Sequence, residues 1–143
     1  MTIFAFQHRI KDALNTCETP VQGKCRAFAE DTRTVYDEAE QWMSGGGIAI
    51  VVVTPRLTRN GCRADGVPCD CRLMVRCMEL PPVATSDQNA IRALDAAEIV
   101  AHALDSEAFQ FQDIEQAVST NRSGNTVVTA TVTFATTILL TND

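Results

Sequence analysis

Histidine is scarce: His8 and His102 are the only imidazoles in 143 residues. Each falls in a segment that reads as helix, and neither has a cysteine or serine close by in sequence. No Ser–His or Cys–His nucleophile is indicated. No phosphate-cradling loop is present either, because Gly45-Gly46-Gly47 leads into an apolar run and lacks a following Lys-Ser/Thr pair. Carboxylates are plentiful, yet none stands at a spacing that marks an acid–base pair. A basic excess is also missing. Twelve Lys and Arg against 18 Asp and Glu leave a net charge of −6. That disfavours a protein that grips nucleic acid, and permits a surface past which DNA slides without sticking. The longest apolar run is too short to span a bilayer, and Met1–Arg9 carries neither a basic leader nor a cleavage site. These absences predict a soluble chain made in the cytosol, with no membrane partner, no cofactor and no catalysis.

What is present describes an ordinary globular chain, 45% hydrophobic and 21% charged. Its length suits one domain, residues 1–143, with a real core. The centre of the pattern is Gly45-Gly46-Gly47-Ile48-Ala49-Ile50-Val51-Val52-Val53-Thr54-Pro55. Glycines end a helix, a β-branched run follows, and proline closes it. Ile48, Ile50 and Val52 share one face; Ala49, Val51 and Val53 share the other. With both faces apolar, the strand should be covered on both sides.

Residues 3–16 read as a helix with a stripe of Phe4, Ile10, Ala13 and Leu14. Pro20 and Gly23 punctuate the loop that follows. Residues 25–43 carry a 3.6-residue rhythm and read as helix over all or the second half of their length. Asp31 or Thr34 is placed to cap the shorter version. Tyr36 and Trp42 read as core or interface packing. After the central strand, Arg56 to Arg59 continue as an extended edge, and Asn60-Gly61 and Asp65-Gly66-Val67-Pro68 are turn chemistry. Residues 69–80 are the return strand of a long hairpin. Cys71, Leu73, Val75 and Cys77 should face the helices, while Arg72, Met74, Arg76 and Met78 should face water or another subunit. These last four are the candidate subunit interface, because arginine and methionine are enriched at interfaces.

Thr85 and Gln88 stand at capping-box spacing before a helix ending near Leu104, with a buried stripe of Ile91, Leu94, Ala97, Val100, Ala101 and Leu104. Phe109, Phe111 and Ile114 suggest an extended segment, with a helical turn over 113–118 as the alternative. A polar turn at 119–125 leads to the last strand, 126–140, which alternates apolar residues with threonines. The expected class is α+β: a mixed, mainly antiparallel sheet with a long β-hairpin, packed against two or three helices. The strands at 48–54, 71–80 and 127–139 should form it, with helices at 36–43 and 88–104 on one face.

The six cysteines, Cys17, Cys25, Cys62, Cys69, Cys71 and Cys77, read as reduced thiols packed as small hydrophobes. Cys62, Cys69, Cys71 and Cys77 are the one candidate set for a tetrahedral zinc site. Their spacing argues against it: one residue separates Cys69 from Cys71, and Cys71 and Cys77 lie ~20 Å apart on a straight strand. A Cys62–Cys69 bridge would need an oxidising setting.

The pattern of elements resembles the tail-terminator (tail-completion) proteins of long-tailed bacteriophages and prophages. The resemblance rests on Phe28-Ala29-Glu30-Asp31 through Tyr36-Asp37-Glu38-Ala39-Glu40, then on the glycine-to-proline stretch from Gly45 to Pro55. The runs at 89–104 and 126–134 also sit where that family has them. It covers most of the chain without an invariant motif, and the six cysteines depart from it. It implies a homo-oligomeric ring, typically a hexamer, seated on the last ring of the tail tube. Such a ring stops tube polymerisation, meets the head-side connector proteins, and passes DNA through its channel without specific binding. It would belong to the virion tail or neck, assembled in the bacterial cytoplasm. Two other classes remain open on the residues alone: another phage neck or connector component, and a small cytosolic enzyme or thiol metal-binding protein.

Overall fold

The computed structural model describes residues 1–16, 25–31, 33–80 and 93–142. The chain is α+β. In order it forms α1 (Ile3–Thr16), β1 (Cys25–Ala29), α2 (Val35–Ser44), β2 (Ile48–Val52), β3 (Arg56–Arg59), β4 (Val67–Glu79), α3 (Ala93–Leu104), β5 (Gln110–Thr120) and β6 (Thr126–Leu140). The six strands make one sheet in the order β1-β2-β4-β6-β5, with β3 also paired to β4. Only β1 and β2 are parallel; the other pairs are antiparallel.

The triple glycine ends α2 as its sequence demands. Gly46 takes φ +90°, its N–H bonds to Met43 O, and the Gly47 N–H returns to Trp42 O. The chain thereby leaves α2 and enters β2, whose five residues are all buried. Ile48, Ile50 and Val52 pack into the core beneath α1 and α3, while Ala49 and Val51 pack against α2. A strand covered on both faces has no use for polar side chains, which is why this run has none.

Four expectations need correction or completion. The first half of 25–43 is not helix but β1; the helix begins at Val35, with Thr34 at its N-cap position and Asp37 and Glu38 in its first turn. Parallel pairing of β1 beside β2 outweighs a helical rhythm that Phe28 and Ala29 satisfy equally well as strand. The helices do not share one sheet face. Phe6 and Ile10 of α1 and Ala93, Ala96, Ala97 and Val100 of α3 cover one side, and Val35, Ala39 and Met43 of α2 cover the other. Two expected stripes were partly misplaced: Phe4 is 60% exposed and Leu94 40%, while Phe6, Gln7, Ala93 and Ala96 are buried instead. Residues 110–120 form a full strand rather than a helical turn, with a bulge between Phe111 and Asp113. The capping residues Thr85 and Gln88, Ile91 of the expected stripe, the loop residues Pro20 and Gly23, and Cys17 lie outside the described residues.

The hairpin is longer and more broken than its sequence suggests. Both β2 and β3 pair with the one return strand, β4. Val52 is opposite Val75 and Arg56 is opposite Arg72, so the register slips by one residue across Thr54 and Pro55. The slip turns Arg56 onto the same face as Arg72.

Candidate functional site

The sheet side that carries α2 is only partly covered. From β4 it presents Arg72, Met74, Arg76 and Met78, as the two-residue alternation requires. The structure separates these four candidates. Met78 is 7% exposed and packs with Phe28, Val35, Ala39, Met43 and Val51, so α2 of the same chain already covers it. It is therefore withdrawn from the candidate interface. The physical reason is the parallel β1–α2–β2 crossover, which lays α2 over this corner. Arg72 is exposed, and Met74 and Arg76 are half-buried.

Arg76 is tied into its own subunit. Its Nη1 donates to the Tyr36 hydroxyl at 3.0 Å, and that hydroxyl donates in turn to the Glu30 carboxylate. The same carboxylate accepts the Thr54 N–H at 3.2 Å. Burial and the bond to Glu30 push the Tyr36 hydroxyl up to about 12, with Arg76 pulling the other way. The network fixes α2 against β4 and against the exit from β2. The tip between β5 and β6 is fastened to α2 as well: Asn121 and Ser123 donate to Glu40 Oε1 at 3.2 and 2.7 Å.

Among the described residues this face carries depressions. One, of about 650 Å³, runs between α2 and the sheet and is lined by Arg33, Tyr36, Arg76, Thr129 and Arg122 among others. Another, of about 400 Å³, is lined by Arg56, Asp70, Arg72, Gln112 and Asp113 among others. Both mix polar and apolar lining, are open and sit on the sheet, an arrangement that suits binding another surface.

The thiols stand elsewhere. Cys69, Cys71 and Cys77 are buried in or beside the core, and Cys62 is exposed with its sulfur 2.9 Å from Arg59 Nη2. Burial raises Cys25 and Cys71 from an ordinary 9.0 to about 11 each, and Cys77 further. Among the described residues no group of three or more His, Cys, Asp or Glu is placed to hold a metal ion. His8 meets the Asp31 carboxylate and stacks on Phe4 at 4.0 Å, a contact that includes no serine or cysteine. Among the described residues no helix is long and apolar enough to cross a membrane.

Sequence reasoning missed Glu30, Tyr36 and Glu40 as fasteners and Arg56 as a neighbour of Arg72. These partners lie 6 to 83 positions apart along the chain, and no local pattern announces them. No protein-family model matches this chain, and no curated protein matches it.

Proposed function

We propose that this protein is a structural tail component of a long-tailed phage or prophage. It forms a homo-oligomeric ring, a hexamer by the family resemblance. The ring caps the tail tube, ends tube polymerisation and joins the tail to head-side connector proteins, and DNA passes through its channel unread. It performs no catalysis. The observation that carries this reading is the open, mixed face of β4, β6 and β5 beside α2, where Arg72 and Met74 stand on a sheet braced by the Arg76–Tyr36–Glu30 network. A rigid, mixed apolar and cationic face of this kind suits docking to another protein. The net charge of −6 suits a wall past which DNA moves without adhering.

The test is electron microscopy of particles assembled without this chain. Tails of irregular, over-long length that fail to join heads are expected, and restoring the chain should restore uniform tails. Uniform, head-joined tails in its absence would overturn the reading and favour a minor neck component.

A further inference from the structure

The sheet has three outer edges, and they are treated unequally. The edge of β1 is closed from within, because the Asn15 side chain donates to Ala27 O at 3.2 Å and accepts the Ala27 N–H at 2.8 Å. The edge of β3 has no such cover among the described residues; Arg56, Thr58 and Arg59 are exposed. The edge of β5 is longer, and all of its residues but Ile114 are exposed. Among the described residues its side-chain cap is at its start, where Asp105 accepts the Phe111 N–H at 3.2 Å. Open edges of this length are templates for another strand.

The two open edges carry opposite charge on one face. Arg56 and Arg72 are directly opposite each other on β3 and β4. A like-charged pair so placed is unfavourable unless a counter-charge joins it; Asp70 and Asp113 of the same chain line the depression beside it but form no ion pair with it. On β5, Asp113 and Glu115 lie two residues apart, opposite Thr133 and Thr131. The pairing of β6 with β4 puts these threonines opposite Met74 and Arg76, so both acids share the face of Arg72. None of the four residues forms an ion pair or side-chain hydrogen bond among the described residues.

Strand direction fits a second copy. β3, β4, β6 and β5 are successively antiparallel, so β5 runs opposite to β3. A neighbouring copy related by simple rotation therefore offers its β3 to β5 as one more antiparallel strand, with the same face outward. The edges are offset. Arg56 is level with Arg72 and hence with Ala135, whereas Glu115 is level with Thr131, four residues along β6, an even offset that keeps all of them on one face. That is ~14 Å along the strands over a four-strand repeat ~19 Å wide, a tilt of ~35°, within the range that closed sheets take.

We propose that copies of this protein associate head to tail by pairing β5 of one with β3 of the next, Asp113 and Glu115 meeting the Arg56–Arg72 pair. The contact is heterologous, and repeated rotation closes it into a ring. This deepens the ring reading above and shares with it only the need for copies to associate.

The test uses the full chain and charge reversal at exposed positions. Arg56→Glu with Arg72→Glu reverses one edge, and Asp113→Lys with Glu115→Lys reverses the other. By native mass spectrometry and sedimentation the unaltered protein should assemble. Each variant alone should remain monomeric at the same concentration, with an unchanged circular dichroism spectrum. Mixed one to one, the two variants should assemble again with alternating copies, because each then meets its opposite charge on both sides. As a milder probe, Asp113→Asn with Glu115→Gln should weaken association about tenfold and reduce its salt dependence. Variants that assemble like the unaltered protein, or a mixture that fails to recover, would remove this interface, the acids then only guarding an edge, and leave the ring reading to the tail-length experiment. An unaltered protein that stays monomeric would overturn edge pairing; uniform tails without the chain would overturn the ring reading separately.

Discussion

The side-chain amide of Asn15 and the backbone of Ala27 exchange two hydrogen bonds, at 3.2 and 2.8 Å. An amide carries the same donor and acceptor as a peptide unit, so Asn15 supplies β1 with what a neighbouring strand would have given. The last turns of α1 thus seal one end of the sheet. Asn15→Leu should cost ~1–2 kcal/mol, because it leaves a donor and an acceptor of Ala27 without protein partners. Denaturant unfolding should show a lower midpoint with an unchanged slope, and exchange of the Ala27 amide should accelerate.

Gly47 is required by Trp42. A Cβ at Gly47 would stand 2.4 Å from Trp42 Nε1 and 2.7 Å from Cε2. That indole nitrogen donates to Ile48 O at 2.9 Å, where α2 turns into β2. Gly47→Ala should push the ring aside and break this bond, for a loss of ~1–3 kcal/mol. A red-shifted tryptophan emission alongside the lowered melting temperature would check it, since Trp42 is the only tryptophan.

Glu79 ends β4 buried and points its carboxylate at the start of α3, where Oε1 accepts the Ala93 N–H at 2.9 Å. A carboxylate there gives a helix N–H an acceptor and meets the positive end of the helix dipole. Glu79→Ala should lower stability by ~1–2 kcal/mol. Glu79→Gln keeps an acceptor and should lose less. Thermal melts of the two variants, compared at the same pH, would show whether Ala falls below Gln as expected.

Alkali should weaken the fold in part through its thiols. Cys25 and Cys71 are raised from 9.0 to about 11 by burial, which disfavours the thiolate. Between these values the unfolded chain has lost protons that the folded chain retains, so stability falls as pH rises. The contribution is fully present below about pH 9 and gone above about pH 11. Denaturant midpoints measured across this window should decline, and Cys71→Ala should make the decline shallower. At neutral pH an alkylating reagent should modify the exposed Cys62 well before Cys71 or Cys77.

Much of the fold was legible because its signals are local. The β-branched run at Ile48–Val52, the Gly46 turn, the alternation of Cys71, Leu73, Val75 and Cys77, and the threonine alternation of β6 each follow from periodicity and backbone chemistry. The strand at Cys25–Ala29 was not legible, because its residues fit helix or strand equally and only pairing with β2 decides. Nor was the candidate face. Met78 has the same parity as Arg72, and sequence alone cannot say that α2 covers one and leaves the other in water.

The sequence by itself determined the class of fold, the parity of the long strands and the absence of a local catalytic signature, since each depends on neighbours within a few residues. Tertiary structure alone decided which sheet edges are closed, which side each helix covers, and that a one-residue slip near Pro55 sets Arg56 against Arg72. Those outcomes depend on contacts between residues far apart in the chain. Their free energies are comparable with local preferences, so no short stretch of sequence reveals which prevails.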